Sequence, residues 1–413
     1  MDLLRYSISR LPTANPHLNF PAPLRRRSFT VRSSLSLPFS EEKAVYYKHL
    51  EAAVDVVDRA CRLCVHVKKS LFSSDGSILE KNDQTPVTIA DFGVQALVSL
   101  EMSKLFPSIP LVAEEDSMFL RTNNLVDAVV DVLADIATSR DKLTQDDVLE
   151  AIDRGGKDAY AFGPKPATYW VLDPIDGTRG FVRGSEALYV VGLALVVDGE
   201  IVLGVMGCPN WQESHPDKSS SKNQENENAV SMSGIIMISH IGCGTWRNTL
   251  WETTNMMGGL LDNWIRCFVD DCQIVHEARF CIPDSQTWES LPLSLLYNAT
   301  TEAEYVGSKE VLLLPACCGS LCKYLMVASG RASVFIQGAK AGKAIKAWDH
   351  AVGIICVHEA GGKVTDWRGS ELDFAADQVK RRIIFPSGGV LVTNDSLHRA
   401  ILEIISSGSL VDS

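Results

Sequence analysis

Asp173-Pro174-Ile175-Asp176-Gly177-Thr178-Arg179-Gly180-Phe181 follows a short apolar run, Tyr169 to Leu172, that reads as a buried strand ending in Asp173. Two Asp residues three apart, with a Pro and a Gly fixing the turn, can aim both carboxylates and one backbone carbonyl at a common point. That is a hard-cation site in outline. Taken alone, the segment is also what an ordinary Asp-rich turn looks like.

Three further segments add acidic groups. Glu114 and Glu115 follow the apolar run Ile109 to Ala113, Asp91 stands just before a helical pattern, and Asp349 sits at a helix start in Ala347-Trp348-Asp349-His350-Ala351. Each separately has an ordinary explanation: Glu pairs usually decorate a solvated edge, and an Asp at a helix start usually caps it. Convergence would change that. Carboxylates about 4 Å apart repel by about 4 kcal/mol at an effective dielectric near 20, so four together protonate or splay unless a cation binds.

The surrounding chain reads as alternating helices and strands. Apolar residues at Leu50, Ala53, Val54, Val57, Cys61, Cys64 and Val65 mark an amphipathic helix over 41–71, and Val94, Leu97, Val98 and Leu105 a second that stops before Pro107. One or two surface helices are expected over 123–153. Leu188 to Val197 and Ile201 to Met206 flank Asp198-Gly199-Glu200, a strong hairpin signal. Residues 213–229 nearly lack apolar side chains and read as a loop. Beyond it, strands Gly234 to Ser239 and Ala332 to Ile336 alternate with helical patterns Gly319 to Ala328 and His350 to Ala360. The expected organisation is an N-terminal α+β domain over 41–230 carrying most acidic candidates, and a C-terminal α/β domain over 231–413.

Residues 3–40 contain no Asp or Glu but carry Arg5, Arg10, Arg25, Arg26, Arg27 and Arg32 among many Ser and Pro. That composition predicts a disordered transit peptide over 1–40, read by organelle import machinery of a mitochondrion or a chloroplast. A formal net charge of −12 argues against a nucleic-acid partner, and no apolar run is long enough to span a bilayer. Eleven cysteines without a repeating spacing fit buried thiols, Cys61 and Cys64 on the first helix among them.

In this order and spacing, the acidic segments resemble the lithium-sensitive, magnesium-dependent phosphatase family that includes inositol monophosphatases and 3′(2′),5′-bisphosphate nucleotidases. Asp173 to Arg183, Gly204 to Asn210 and Trp348 through Thr365-Asp366 look most like the nucleotidases. The resemblance implies a layered αβαβα sandwich and removal of the 3′-phosphate from adenosine 3′,5′-bisphosphate, with the corresponding phosphosulfate as a second substrate. It further implies that Glu114, Asp173, Asp176, Asp349 and the Ile175 carbonyl hold two to three Mg²⁺ ions, with Glu115 assisting and Li⁺ inhibiting. Asp91 and Thr178 would form the pair that activates a water. Gly177 and Thr178 amides, Ser320, Lys323, Lys346 and Asp349 would contact the nucleotide.

Two departures bear on substrate choice. Gln337 stands where the nucleotidases usually have Arg, and Trp288-Glu289-Ser290-Leu291-Pro292 replaces a short polar loop near the base; Lys340, Lys343 and Lys346 are candidates to restore the charge. Inositol phosphates as substrates, and a non-catalytic nucleotide-binding protein, are the competing readings.

Overall fold

The structure is a computed structural model. It describes residues 36–73, 79–80, 86–134, 143–156, 159, 162, 167–183, 187–212, 234–251, 263–302, 307, 309–314, 319–340, 343–375, 377 and 380–408. Residues 1–35 of the expected transit peptide, the expected 213–229 loop, and Cys317 and Cys318 lie outside that set.

The first sheet has seven strands in chain order: Leu111–Ala113, Tyr169–Asp176, Val190–Val197, Glu200–Cys208, Ile235–His240, Gly244–Thr249 and Ile265–Arg266. Its first pair is parallel and the rest are antiparallel. The hairpin expected at Asp198-Gly199 is there. Asp198 and Gly199 both take positive φ, 51° and 91°, as a two-residue turn matched to strand twist requires, and Val197 pairs with Glu200.

The second sheet runs Asn298–Thr300, Glu310–Leu313, Arg279–Cys281, Val334–Gly338, Gly389–Asn394, Gly362–Asp366, parallel over its first four strands and antiparallel over the last pairings. Helices Tyr47–Ser73 and Ile89–Leu105 cover one face of the first sheet. Ser320–Ala328 and Ala351–Glu359 fill the space between the sheets, and Asp395–Gly408 covers the outer face of the second. This is the αβαβα layering. Each buried Val, Leu or Ile in these layers contributes about 1.5–3 kcal/mol.

Three boundaries differ from expectation. The first helix opens at Tyr47, not Glu41, because the backbone over 40–47 closes in turns and the Tyr46 amide donates to His240 Nε2 at 3.1 Å. Packed chain nevertheless begins before residue 41. Leu37 is buried and the Ser36 carbonyl accepts a hydrogen bond from Trp264 Nε1 at 2.7 Å, so residues 36–40 belong to the folded body. The first sheet also continues past residue 230, since Glu200–Cys208 pairs with Ile235–His240, and the second sheet starts only at Arg279.

Candidate active site

The strand carrying the acidic motif is longer than its apolar run. It spans Tyr169–Asp176 with all eight residues buried, and its pairing shifts register between Asp173 and Asp176. Pro174 has no N–H to give the ladder, and the irregularity there turns Asp173 and Asp176 toward one cavity of about 300 Å³. Glu114, Asp173, Ile175, Asp176, Gly177, Thr178, Ser320, Lys323 and Asp349 all line it.

Carboxylate oxygens of Asp173, Asp176 and Asp349 lie within 4.8 Å of one another. Burial, and then the charges of Asp176, Glu114, Asp349 and Asp91, push Asp173 well above the usual carboxylate range. Burial does the same to Asp349, reinforced by Asp176 and Glu114. Asp176 is pushed up to about 7 by burial, although the Lys323 charge and the amides of Leu321, Ser320 and Cys322 pull it down. Asp173 Oδ1 is buried and has no hydrogen-bond partner among the described residues. Three crowded carboxylates, one with an orphaned oxygen, beside a backbone carbonyl form an all-oxygen donor set suited to a hard divalent cation.

Asp91 does not itself line the cavity. It opens the Ile89–Leu105 helix in a capping box, where its Oδ2 accepts from the Thr88 amide at 2.8 Å and the Thr88 hydroxyl at 2.7 Å. Its other oxygen, Oδ1, lies 3.2 Å from Thr178 Oγ1, which is also 2.9 Å from the Ile175 carbonyl oxygen. The carboxylate thus reaches the cavity through the threonine hydroxyl.

The Ser320–Ala328 helix begins against Asp176. The Ser320 amide donates to Asp176 Oδ1 at 3.0 Å and the Leu321 amide to Oδ2 at 2.6 Å. Gly319, at φ 90°, makes this approach possible: a Cβ there would stand 2.3 Å from Asp176 Oδ2. Lys323 is only 1% exposed, so it is no surface lysine; its Nζ donates to the Gly319 carbonyl at 2.7 Å and lies 3.9 Å from Asp284 Oδ1.

Other expected residues fall outside the cavity wall. Glu115 is buried, its backbone held by the Gln95 side chain through bonds of 2.9 and 2.6 Å. Lys346 stacks over the Trp348 ring at 5.6 Å, Lys340 donates to the Ser285 carbonyl, and neither they nor Lys343 joins the lining. Gln337 does join it. Trp288 and Leu291 are buried in the outer core, and Pro283, Asp284 and Ser285 face the cavity instead. That segment, Arg179 as a lining residue and the Gln95 clamp went unread in the sequence. A Pro-Asp-Ser turn signal just past an apolar run was the one available signal for 283–285. His350, beside Asp349, is buried and held neutral, its pKa down to about 3 by burial, with Nδ1 2.8 Å from the Tyr324 hydroxyl.

The chain is similar to known proteins over most of its length. An Arabidopsis thaliana protein given the provisional name of mitochondrial 3′(2′),5′-bisphosphate nucleotidase is 64% identical over 407 residues, covering 98% of this chain and 97% of its own. A 3′(2′),5′-bisphosphate nucleotidase of Oryza sativa is 34% identical over 370 residues, 87% of this chain and 94% of its own. Among solved structures, the Thermotoga maritima IMPase superposes with a TM-score of 0.51 at 18% identity, over 89% of this chain and all of the other, a likeness of fold. Residues 41–234 and 292–409 match the inositol monophosphatase family, and those two stretches contain every group that lines the cavity except the 283–285 segment. With its αβαβα layers and its carboxylate cluster on one irregular strand, the chain belongs to the inositol monophosphatase family.

Proposed function

We propose that this chain is a Mg²⁺-dependent phosphomonoesterase that hydrolyses adenosine 3′,5′-bisphosphate to AMP and phosphate, and takes the corresponding phosphosulfate by the same ester bond. The observation that carries the reading is that one cavity is lined both by the cluster Asp173, Asp176 and Asp349 and by the buried Lys323. The names of the relatives supply the nucleotide.

Glu114, Asp173, Asp176, Asp349 and the Ile175 carbonyl would hold two to three Mg²⁺ ions, with Glu115 supporting from behind. Mg²⁺, when bound, acidifies water and neutralises phosphate charge. Thr178 Oγ1 takes a proton from the attacking water as its own passes to Asp91 Oδ1, the water oxygen attacks phosphorus in line as the P–O3′ bond breaks, and the departing 3′-oxygen takes a proton from solvent water, to which Asp91 later returns its own. Gly177 and Thr178 border the scissile phosphate. Ser320 and Lys323 face the 5′-phosphate, and Lys346 acts through the charge it sets near Asp349. Li⁺ inhibition follows from competition for the same oxygens. Of the two organelles, the mitochondrion has the support of the 64% relative's name, while the acid-free, Arg-rich stretch 3–40 fits either. Among the described residues no helix is long and apolar enough to cross a membrane.

Gln337 on the wall favours a second reading, an inositol phosphate as substrate, because it brings no charge to a second phosphate. Phosphate release from adenosine 3′,5′-bisphosphate and from inositol 1-phosphate, each with and without Mg²⁺, separates them. Mg²⁺-dependent release from the nucleotide is expected; preference for the inositol ester overturns the substrate, and silence on both overturns the enzyme.

A further inference from the structure

Glu114 and Asp349 reach the cavity from distant parts of the chain, Glu114 on the loop after Leu111–Ala113 and Asp349 on the turn before Ala351–Glu359. One residue touches both supports. Arg382 accepts a hydrogen bond at its own carbonyl from the Ala347 amide at 2.9 Å, and the next residue, Ile383, pairs with Lys346, so its backbone is part of the run leading into Asp349. Its side chain goes the other way. Nη2 donates to the Ala113 carbonyl at 2.9 Å and to the Glu114 carbonyl at 3.1 Å, and Nη1 to the Gly156 carbonyl at 3.5 Å. Between these contacts the guanidinium carbon lies 5.1 Å from the centre of the Trp348 ring, whose neighbourhood Lys346 shares at 5.6 Å.

We propose that Arg382 is a positioning residue that fixes the separation of Glu114 from Asp349 and so sets the affinity of the centre for its divalent cation. The inference rests on reading those two carboxylates as ligands. A guanidinium fork is well matched to this role, because one planar group holds Ala113 and Glu114 through Nη2, Gly156 through Nη1 and the Trp348 ring through its face, a combination an ammonium does not match. Gln95 holds the same loop through Glu115 and ties it to Ile152, whereas the Arg382 contacts tie the loop to the turn of Asp349. Arg382 does not line the cavity.

Arg382→Met keeps the aliphatic stem and removes the donors; Arg382→Lys keeps the charge without the fork. Mg²⁺ binding to each purified full chain is measured by calorimetry without substrate, alongside the Mg²⁺ dependence of phosphate release. Supporting residues behind metal ligands typically change affinity by about 10- to 100-fold. We expect at least about a tenfold weakening in Arg382→Met, a smaller one in Arg382→Lys, and recovery of kcat at saturating Mg²⁺. Should Arg382→Met fail to fold, Arg382→Lys alone must still show weakened binding. A lower melting temperature with an unchanged Mg²⁺ isotherm would make the role merely structural and overturn the proposal. Wild-type chain that binds Mg²⁺ but leaves the nucleotide intact would overturn the proposed reaction and leave this inference standing.

Discussion

Thr178 Oγ1 lies between two acceptors, 3.2 Å from Asp91 Oδ1 and 2.9 Å from the Ile175 carbonyl oxygen, with one proton to share between them. Asp91 is in turn fixed by the Thr88 cap through its other oxygen. Replacing Thr178 with Val removes the hydroxyl at constant shape. We expect kcat to fall by about 10²- to 10⁴-fold with Mg²⁺ binding intact, and Thr178→Ser to retain most activity. Near-normal kcat in Thr178→Val would remove the threonine from the reaction.

Asp176→Asn should abolish turnover at millimolar Mg²⁺ and also lower the melting temperature. Both carboxylate oxygens receive amides of the Ser320–Ala328 helix, and an Asn offers one acceptor where the helix start presents two donors. The loss of one such bond costs about 1 kcal/mol. Retained turnover would exclude Asp176 as a ligand.

The stabilisation by Mg²⁺ should grow with pH. Without cation, Asp176 titrates near 7 in the folded chain, raised by burial above its unfolded value of about 4, with Asp173 and Asp349 raised in the same direction. Groups shifted up in this way contribute stability that is full below the unfolded value and is lost as pH rises through the folded one. A bound cation removes that loss. The difference in melting temperature with and without Mg²⁺ should therefore be small at pH 5 and larger at pH 8, as thermal denaturation at fixed ionic strength can read. A difference independent of pH would contradict the buried cluster.

A chain beginning at residue 36 should melt above one beginning at Glu41. The longer form keeps the buried Leu37, worth about 1.5–3 kcal/mol, and the Trp264 to Ser36 hydrogen bond. Equal melting temperatures would mean that this segment adds nothing to stability.

Cys61, Cys64 and Cys208 should resist a thiol reagent at pH 8 in the native state. Burial raises the first two well above their ordinary value, and burial pushes Cys208 up to about 12. Partly exposed Cys243 and Cys272 should react first among the described cysteines, as peptide mapping after brief labelling would show.

What the sequence disclosed was mostly local. Asp198-Gly199 demanded a positive-φ turn whatever surrounded it, and the 3.6-residue stripe of the first long helix was legible by itself. Asp173 and Asp176 were visible because the turn chemistry and the strand end are neighbours in the chain. Lys323 was ambiguous in sequence because its burial is imposed by packing between two sheets. Arg382 and Gln95 were silent for the same reason: their partners are backbone carbonyls and amides of remote loops, which carry no residue-type signal. The early helix start failed because His240, far along the chain, captures the Tyr46 amide.

The bonds from the 320s helix to Asp176 join residues 144 and 145 positions apart. Closing so long a loop costs entropy before any contact repays it, and the junction cannot form until residue 321 has been made. On a ribosome, the strand that carries Asp173 and Asp176 emerges long before the helix that meets it. A nascent or prematurely ended chain can therefore present Asp173 and Asp176 without Lys323 or Asp349, and on the proposed site it would not hydrolyse the ester.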